Sequence, residues 1–215
     1  MVRHSRARSG RDLKRKTPNR PPYDRILIVC EGAKTEVNYF EEIRQEARLP
    51  MVNVRVIHSP LGTEPQQIVQ GAEEEFTKSH GFEKIYAVFD RDEHRTYANA
   101  IAMAESRNGK LKNAEKQSVS FEAIVSVPCF ELWLLLHFAN IMAQMHQSEA
   151  LTQLKKHLAG YEKGNDGVYA DTQANLAVAT QRATALKQQC SRLPGTDAYT
   201  DVHELVDVLR NLRSR

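Results

Sequence analysis

Residues Arg25–Phe40 read RILIVCEGAKTEVNYF, and this stretch decides the fold. The apolar run Ile26-Leu27-Ile28-Val29-Cys30 stops abruptly at Glu31-Gly32. Thr35 then opens a segment with apolar residues at Val37, Phe40, Ile43 and Ala47, the spacing of an amphipathic helix. The pattern is a buried strand, a tight turn and a helix. Open α/β sheets hold ligands at the C-terminal ends of their strands, so Glu31 is the first candidate site residue. Two later stretches are placed to meet it: Val88-Phe89-Asp90-Arg91-Asp92 and Pro128-Cys129-Phe130-Glu131.

Working outward, strands are expected at about 25–30, 52–58, 84–89 and 121–127. Helices are expected at 35–48, from Pro65 to His80-Gly81, at 95–107 and from Pro128 to about 139. This alternation predicts an α/β fold: a Rossmann-like central parallel sheet of about four strands, flanked by helices and wound with right-handed crossovers. After Asn140 the pattern turns helical, at 148–158, 172–191 and 200–213, with Thr200 as an N-cap. The segment 160–171, carrying Gly160, Gly164 and Gly167, is expected to be flexible. Three parts follow: a basic arm at 1–22, an α/β domain at 23–140, and a helical C-terminal extension at 141–215 packed on it.

Composition narrows the function classes. The chain has 215 residues, 41% of them hydrophobic, enough for one full core. No apolar run reaches the roughly 18–20 residues that span a bilayer, and no apolar segment follows the N-terminal basic residues, so neither a membrane span nor a secretory signal is expected. Cys30, Cys129 and Cys190 are too few and scattered for a disulfide framework, which suits a reduced, cytoplasmic protein. The net charge of +3 hides an asymmetry. Residues 1–20 hold eight Lys or Arg against Asp12 alone, leaving the remainder with 22 basic and 26 acidic residues. Arg11, Lys14, Arg15 and Lys16 belong to this arm, which we read as a phosphate-binding tail.

Asp90 and Asp92 are spaced by two, so at a strand end they point to the same side and reach one metal. Carboxylates from separate strand ends repel one another unless a cation neutralises them. Oxygen donors with no Cys/His cluster select Mg²⁺ or Mn²⁺.

Glu-Gly after one buried strand and Asp-x-Asp after a later one resemble the Toprim signature of topoisomerases, bacterial primases and OLD-type nucleases. Val29-Cys30-Glu31-Gly32-Ala33-Lys34-Thr35-Glu36, with Asn38-Tyr39-Phe40 after it, is similar to the RloB family. Phe89-Asp90-Arg91-Asp92, Cys129-Phe130-Glu131-Leu132-Trp133 and Thr200-Asp201-Val202-His203-Glu204-Leu205-Val206 fit the same family. The resemblance covers nearly the whole chain beyond residue 20. It implies a Toprim-like domain, a role in defence against phage and an ABC/AAA-type ATPase partner.

Carried over from the OLD-type nucleases, the implied site is Glu31, Glu36, Asp90 with Asp92, and Glu131. Cys129 stands where the pattern has Ser, which removes a hydroxyl. Asp90, Asp92 and Glu131 are then metal ligands. Glu31 holds metal or moves a proton from the attacking water. Two ions roughly 3.5–4 Å apart would stabilise the entering and leaving oxygens of a phosphodiester. Glu36 is either a second-metal ligand or an acid complementing the helix dipole. Lys34 contacts substrate phosphate or is simply solvated. His94 lies in a polar loop, and His137 and Trp133 read as core residues. The expected function is a metal-dependent nuclease on DNA or RNA. The alternatives are a non-catalytic Toprim-like module binding nucleic acid or a partner, and a primase-type nucleotidyl transferase. Self-association is left open.

Overall fold

The computed structural model describes residues 24–91, 95–141, 143–192 and 198–212. The expected N-terminal arm, including Arg11, Lys14, Arg15 and Lys16, lies outside these residues, as do Asp92 and His94.

Strand β1 (Ile26–Cys30) has every residue at 0% exposure, because its run of branched apolar side chains is covered on both faces. Alternation divides it: Ile26, Ile28 and Cys30 join one core cluster, Leu27 and Val29 the other. The chain continues through α1 (Thr35–Glu46), β2 (Val54–His58), α2 (Pro65–Thr77), β3 (Lys84–Asp90), α3 (Tyr97–Arg107) and β4 (Ser120–Val127). After these come α4 (Phe130–Leu136), α5 (Gln147–His157), α6 (Val168–Thr172), a 3₁₀ turn at Gln173–Asn175, α7 (Leu176–Arg192), β5 (Tyr199–Thr200) and α8 (Val202–Arg210).

The sheet order is β2-β1-β3-β4-β5. The first four strands run parallel, and β5 pairs antiparallel with β4. This is the expected α/β fold. The connection reverses direction between β1 and β3, which makes that gap the topological switch point. Register fixes what emerges there. Cys30 lies beside His58 on one side and Val88 on the other, so Glu31 and Asp90 leave the sheet at the same edge.

Helices α2 and α3 cover one face, with Ile68, Val69, Phe76, Ala100 and Ala104 in contact with Leu27, Val29, Ala87 and Phe89. The other face is covered by α1 and the C-terminal helices: Tyr39, Phe40, Trp133, Leu154, Ala183 and Leu205 share one cluster with Ile28 and Val88.

Several elements differ from the expectations. β5 escapes a sequence reading because two residues carry no periodicity. Thr200 belongs to that strand, and Asp201 is the N-cap of α8, although the Thr200 hydroxyl still accepts from the Val202 amide at 3.2 Å. The helix expected at 172–191 is preceded by α6 and broken by the 3₁₀ turn. Helix α4 begins at Phe130, not Pro128, with Cys129 as its N-cap, and stops at Leu136. His137 is a core residue with its Nδ1 3.0 Å from the Trp133 carbonyl, and burial lowers its pKa to about 4. Its Nε2 has no hydrogen-bond partner, so it is a core histidine only half satisfied.

The Trp133 indole donates to the Tyr39 hydroxyl at 2.8 Å, joining α4 to α1 in the middle of the larger cluster. Tyr39→Phe leaves that buried N–H without this acceptor. It is expected to lower stability by about 1–3 kcal/mol in urea unfolding, with the m-value unchanged.

Candidate active site

A cavity of about 460 Å³ opens at the carboxyl edge of the sheet, over the switch point. It is lined by Glu31, Glu36, Asp90 and Glu131, with Lys34, His58 and Lys163 among the other side chains. The four acids come from three separate parts of the chain. Glu31 leaves β1, Asp90 ends β3, Glu36 sits in the first turn of α1 and Glu131 in the first turn of α4. Asp90 is the last residue of β3 rather than the first beyond it. Its backbone amide donates to Glu31 Oε2 at 2.9 Å, which ties the two strand ends directly.

Glu36 faces inward because α1 buries the stripe Glu36, Tyr39, Phe40 and Ile43. It is only 7% exposed. Gly32 makes room for it: a Cβ on that glycine would stand 1.8 Å from Glu36 Oε2. A carboxylate so enclosed is more than a surface charge complementing a helix dipole. Burial raises Glu36 to about 7; the negative charges of Glu131 and Glu31 add to the rise, while its backbone amide opposes it. Burial likewise pushes Asp90 well above the usual carboxylate range, followed by the charges of Glu36, Glu31 and Glu131, with the Phe130 amide opposing. Glu131 is 2% exposed, and its Oε2 has no hydrogen-bond partner. Burial also raises the Cys129 thiol, reinforced by Glu131 and Asp90, so Cys129 stays a neutral side chain beside the acids.

The segment 160–171 is not the loose loop expected from its glycines. A polar stripe on α1 holds it. Thr35 Oγ1 accepts from the Gly164 amide at 2.8 Å, and Asn38 donates to Asp166 at 2.6 Å. Glu42 accepts from the amides of Gly167 at 2.6 Å and Tyr169 at 2.9 Å, and Glu46 accepts from the Tyr169 hydroxyl at 2.6 Å. Residues 35, 38, 42 and 46 recur at helical spacing, so one face of α1 carries the loop while another carries Glu36. The loop delivers two groups that the sequence reading missed. The Tyr161 hydroxyl donates to Glu131 Oε1 at 3.3 Å, and Lys163 Nζ stands 3.3 Å from the same oxygen. The stripe Thr35-x-x-Asn38-x-x-x-Glu42-x-x-x-Glu46 was the available signal, but nothing local in the sequence says what it grips.

Lys34 is exposed at the cavity rim, its stem packed against Gly164, where φ is +90° and an added Cβ would meet the Lys34 Cδ at 2.9 Å. Among the described residues, no three His, Cys, Asp or Glu side chains converge tightly enough to form a ready-made metal site. The donor chemistry still suits a hard cation. The acidic donor atoms are all oxygens, two of the carboxyl groups are held toward the protonated form by burial and then by neighbouring charge, and one buried oxygen has no partner.

The class is thus an α/β protein with an acid-lined cavity at the switch point of its sheet. A family model described as RloB-like protein matches residues 26–209, and the chain belongs to that family. No curated protein matches the chain. No solved structure matches it either. No helix among the described residues is long and apolar enough to cross a membrane.

Two outcomes test the site. Below about pH 4.5 Glu36 is protonated in both folded and unfolded chains, with no penalty. As pH rises to about 7 the unfolded chain releases that proton first, and stability falls; above 7 the loss is complete, at about 3 kcal/mol. Glu36→Gln is therefore expected to melt higher than the wild type at pH 8 in chelator, with the gap closing by pH 4. Gly32→Ala should displace the Glu36 carboxylate and remove most of that pH dependence while the far-ultraviolet circular dichroism is retained.

Proposed function

We propose that this RloB-like protein is a metal-dependent nuclease that hydrolyses phosphodiester bonds in DNA or RNA. The observation that carries the reading is the convergence of Glu31, Glu36, Asp90 and Glu131 on one cavity, with a buried, unpartnered oxygen on Glu131. Buried acids lacking matched cations are costly and are retained where they bind or catalyse. Asp90, Glu131 and Glu36 would hold Mg²⁺ or Mn²⁺, together with Asp92 just beyond β3. The ion, when bound, would polarise the phosphodiester and offset its charge. Glu31 is fixed by the Asp90 amide, which leaves its carboxylate oriented to take a proton from an attacking water. Lys34 and the basic residues Arg11, Lys14, Arg15 and Lys16 would meet the phosphate backbone and offset the repulsion between an acidic site and a polyanion. Action in anti-phage defence with a partner ATPase, as the family resemblance implies, completes the proposal.

A second reading has its own support. Lys163 already neutralises Glu131, and no three donors stand together as a ready metal site among the described residues. That arrangement suits a non-catalytic module binding nucleic acid or a partner.

Cleavage of plasmid, single-stranded DNA and transfer RNA with Mg²⁺ or Mn²⁺ separates the two. Glu31→Ala and Asp90→Ala are expected to lower the rate by roughly a hundredfold or more, while Glu122→Ala, on an exposed part of β4, keeps it. Equal cleavage by wild type and both site variants would sink the nuclease reading.

A further inference from the structure

We propose that Lys163 is an exchangeable counter-ion, pairing with Glu131 while no metal is bound and turning to a substrate phosphate once a divalent cation takes Glu131. The inference rests on the metal-site reading above. Its basis is the loop from Tyr161 to Tyr169. Glu131 is buried, and one of its oxygens carries both contacts, from Tyr161 and Lys163. Its other oxygen has none. The ion pair therefore leaves the second oxygen of a buried carboxylate unsatisfied, a cost that a cation bound to Glu131 would relieve.

The two partners of Glu131 differ in kind. Tyr161 is buried at 3% exposure and donates a neutral hydroxyl, which remains compatible with a cation on the same carboxylate. The Lys163 side chain is 50% exposed and brings a positive charge to Glu131. A divalent cation on Glu131 would repel the ammonium and replace its Coulomb attraction with a stronger one. Lys163 need not carry the loop away when it leaves. The backbone beside it is held by Thr35, Asn38 and Glu42 through bonds that do not involve its side chain. Only the flexible stem turns, and the ammonium stays at the mouth of the cavity. Lys34 stands there too, its stem against Gly164, the residue next to Lys163. Two neighbouring ammonium groups at the rim of one cavity then face the anionic substrate. Metal and phosphate binding are coupled as a result, because the cation releases the charge that the phosphate uses.

Calorimetry and fluorescence anisotropy test this on the full chain. Removing the competitor by Lys163→Met is expected to tighten Mn²⁺ binding by about two- to fivefold. Binding of a labelled oligonucleotide, measured with Ca²⁺, is expected to weaken, and its dependence on salt to fall by about one unit of slope. Lys163→Arg should restore the salt slope. Mn²⁺ binding that is unchanged or weaker in Lys163→Met, with oligonucleotide binding unaltered, overturns the exchange and leaves the metal site standing. Absence of Mn²⁺ binding to the wild type at millimolar concentration overturns the metal-site reading itself.

Discussion

The crowding of like charge at one edge of the sheet is the constraint on which the rest depends. Glu31, Glu36, Asp90 and Glu131 converge where β1, β3 and the starts of α1 and α4 meet, and nothing about folding alone requires acids there. Such a cluster is tolerated in three ways at once. Burial and neighbouring charge push Glu36 and Asp90 toward their neutral forms. Backbone amides donate to the carboxylates, as the Asp90 amide does to Glu31. One ammonium, Lys163, is brought from far along the chain.

Around that edge the fold is arranged for rigidity. β1 is buried on both faces and pinned by a parallel neighbour on each side, so the point at which Glu31 leaves the sheet is fixed. Helix α1 serves three surroundings with three faces. Tyr39, Phe40 and Ile43 pack on the sheet, Glu36 enters the cavity, and Thr35, Asn38, Glu42 and Glu46 bind the loop from the C-terminal half. The site is accordingly not the property of the sheet alone. The C-terminal helices share its core, and the loop before α6 supplies two of its polar groups.

The local readings that succeeded were those in which chemistry and periodicity coincide within a few residues. β1 declared itself by five consecutive apolar residues, and Glu31 by ending them. Glu36 was ambiguous because its two roles share one position at a helix start; the inward rotation of α1 and the missing side chain at Gly32 show that its carboxylate is enclosed at the cavity. The segment 160–171 misled because three glycines read as freedom, whereas Gly164 and Gly167 adopt φ of +90° and +82° and give their amides to α1. Thr200 misled because a two-residue strand and a helix cap draw on the same residue type.

The sequence by itself determined the strand-and-helix alternation, the parallel sheet and the identity of the acids at its carboxyl edge. Those features are written in side-chain period and in where apolar runs stop. The tertiary structure alone decided that Lys163 and Tyr161 reach Glu131, 30 and more residues away in the chain. It also decided how deeply Glu36 is enclosed and that the pKa values of Glu36 and Asp90 rise. These are matters of long-range packing and dielectric surroundings, which depend on distances between segments that no local pattern encodes.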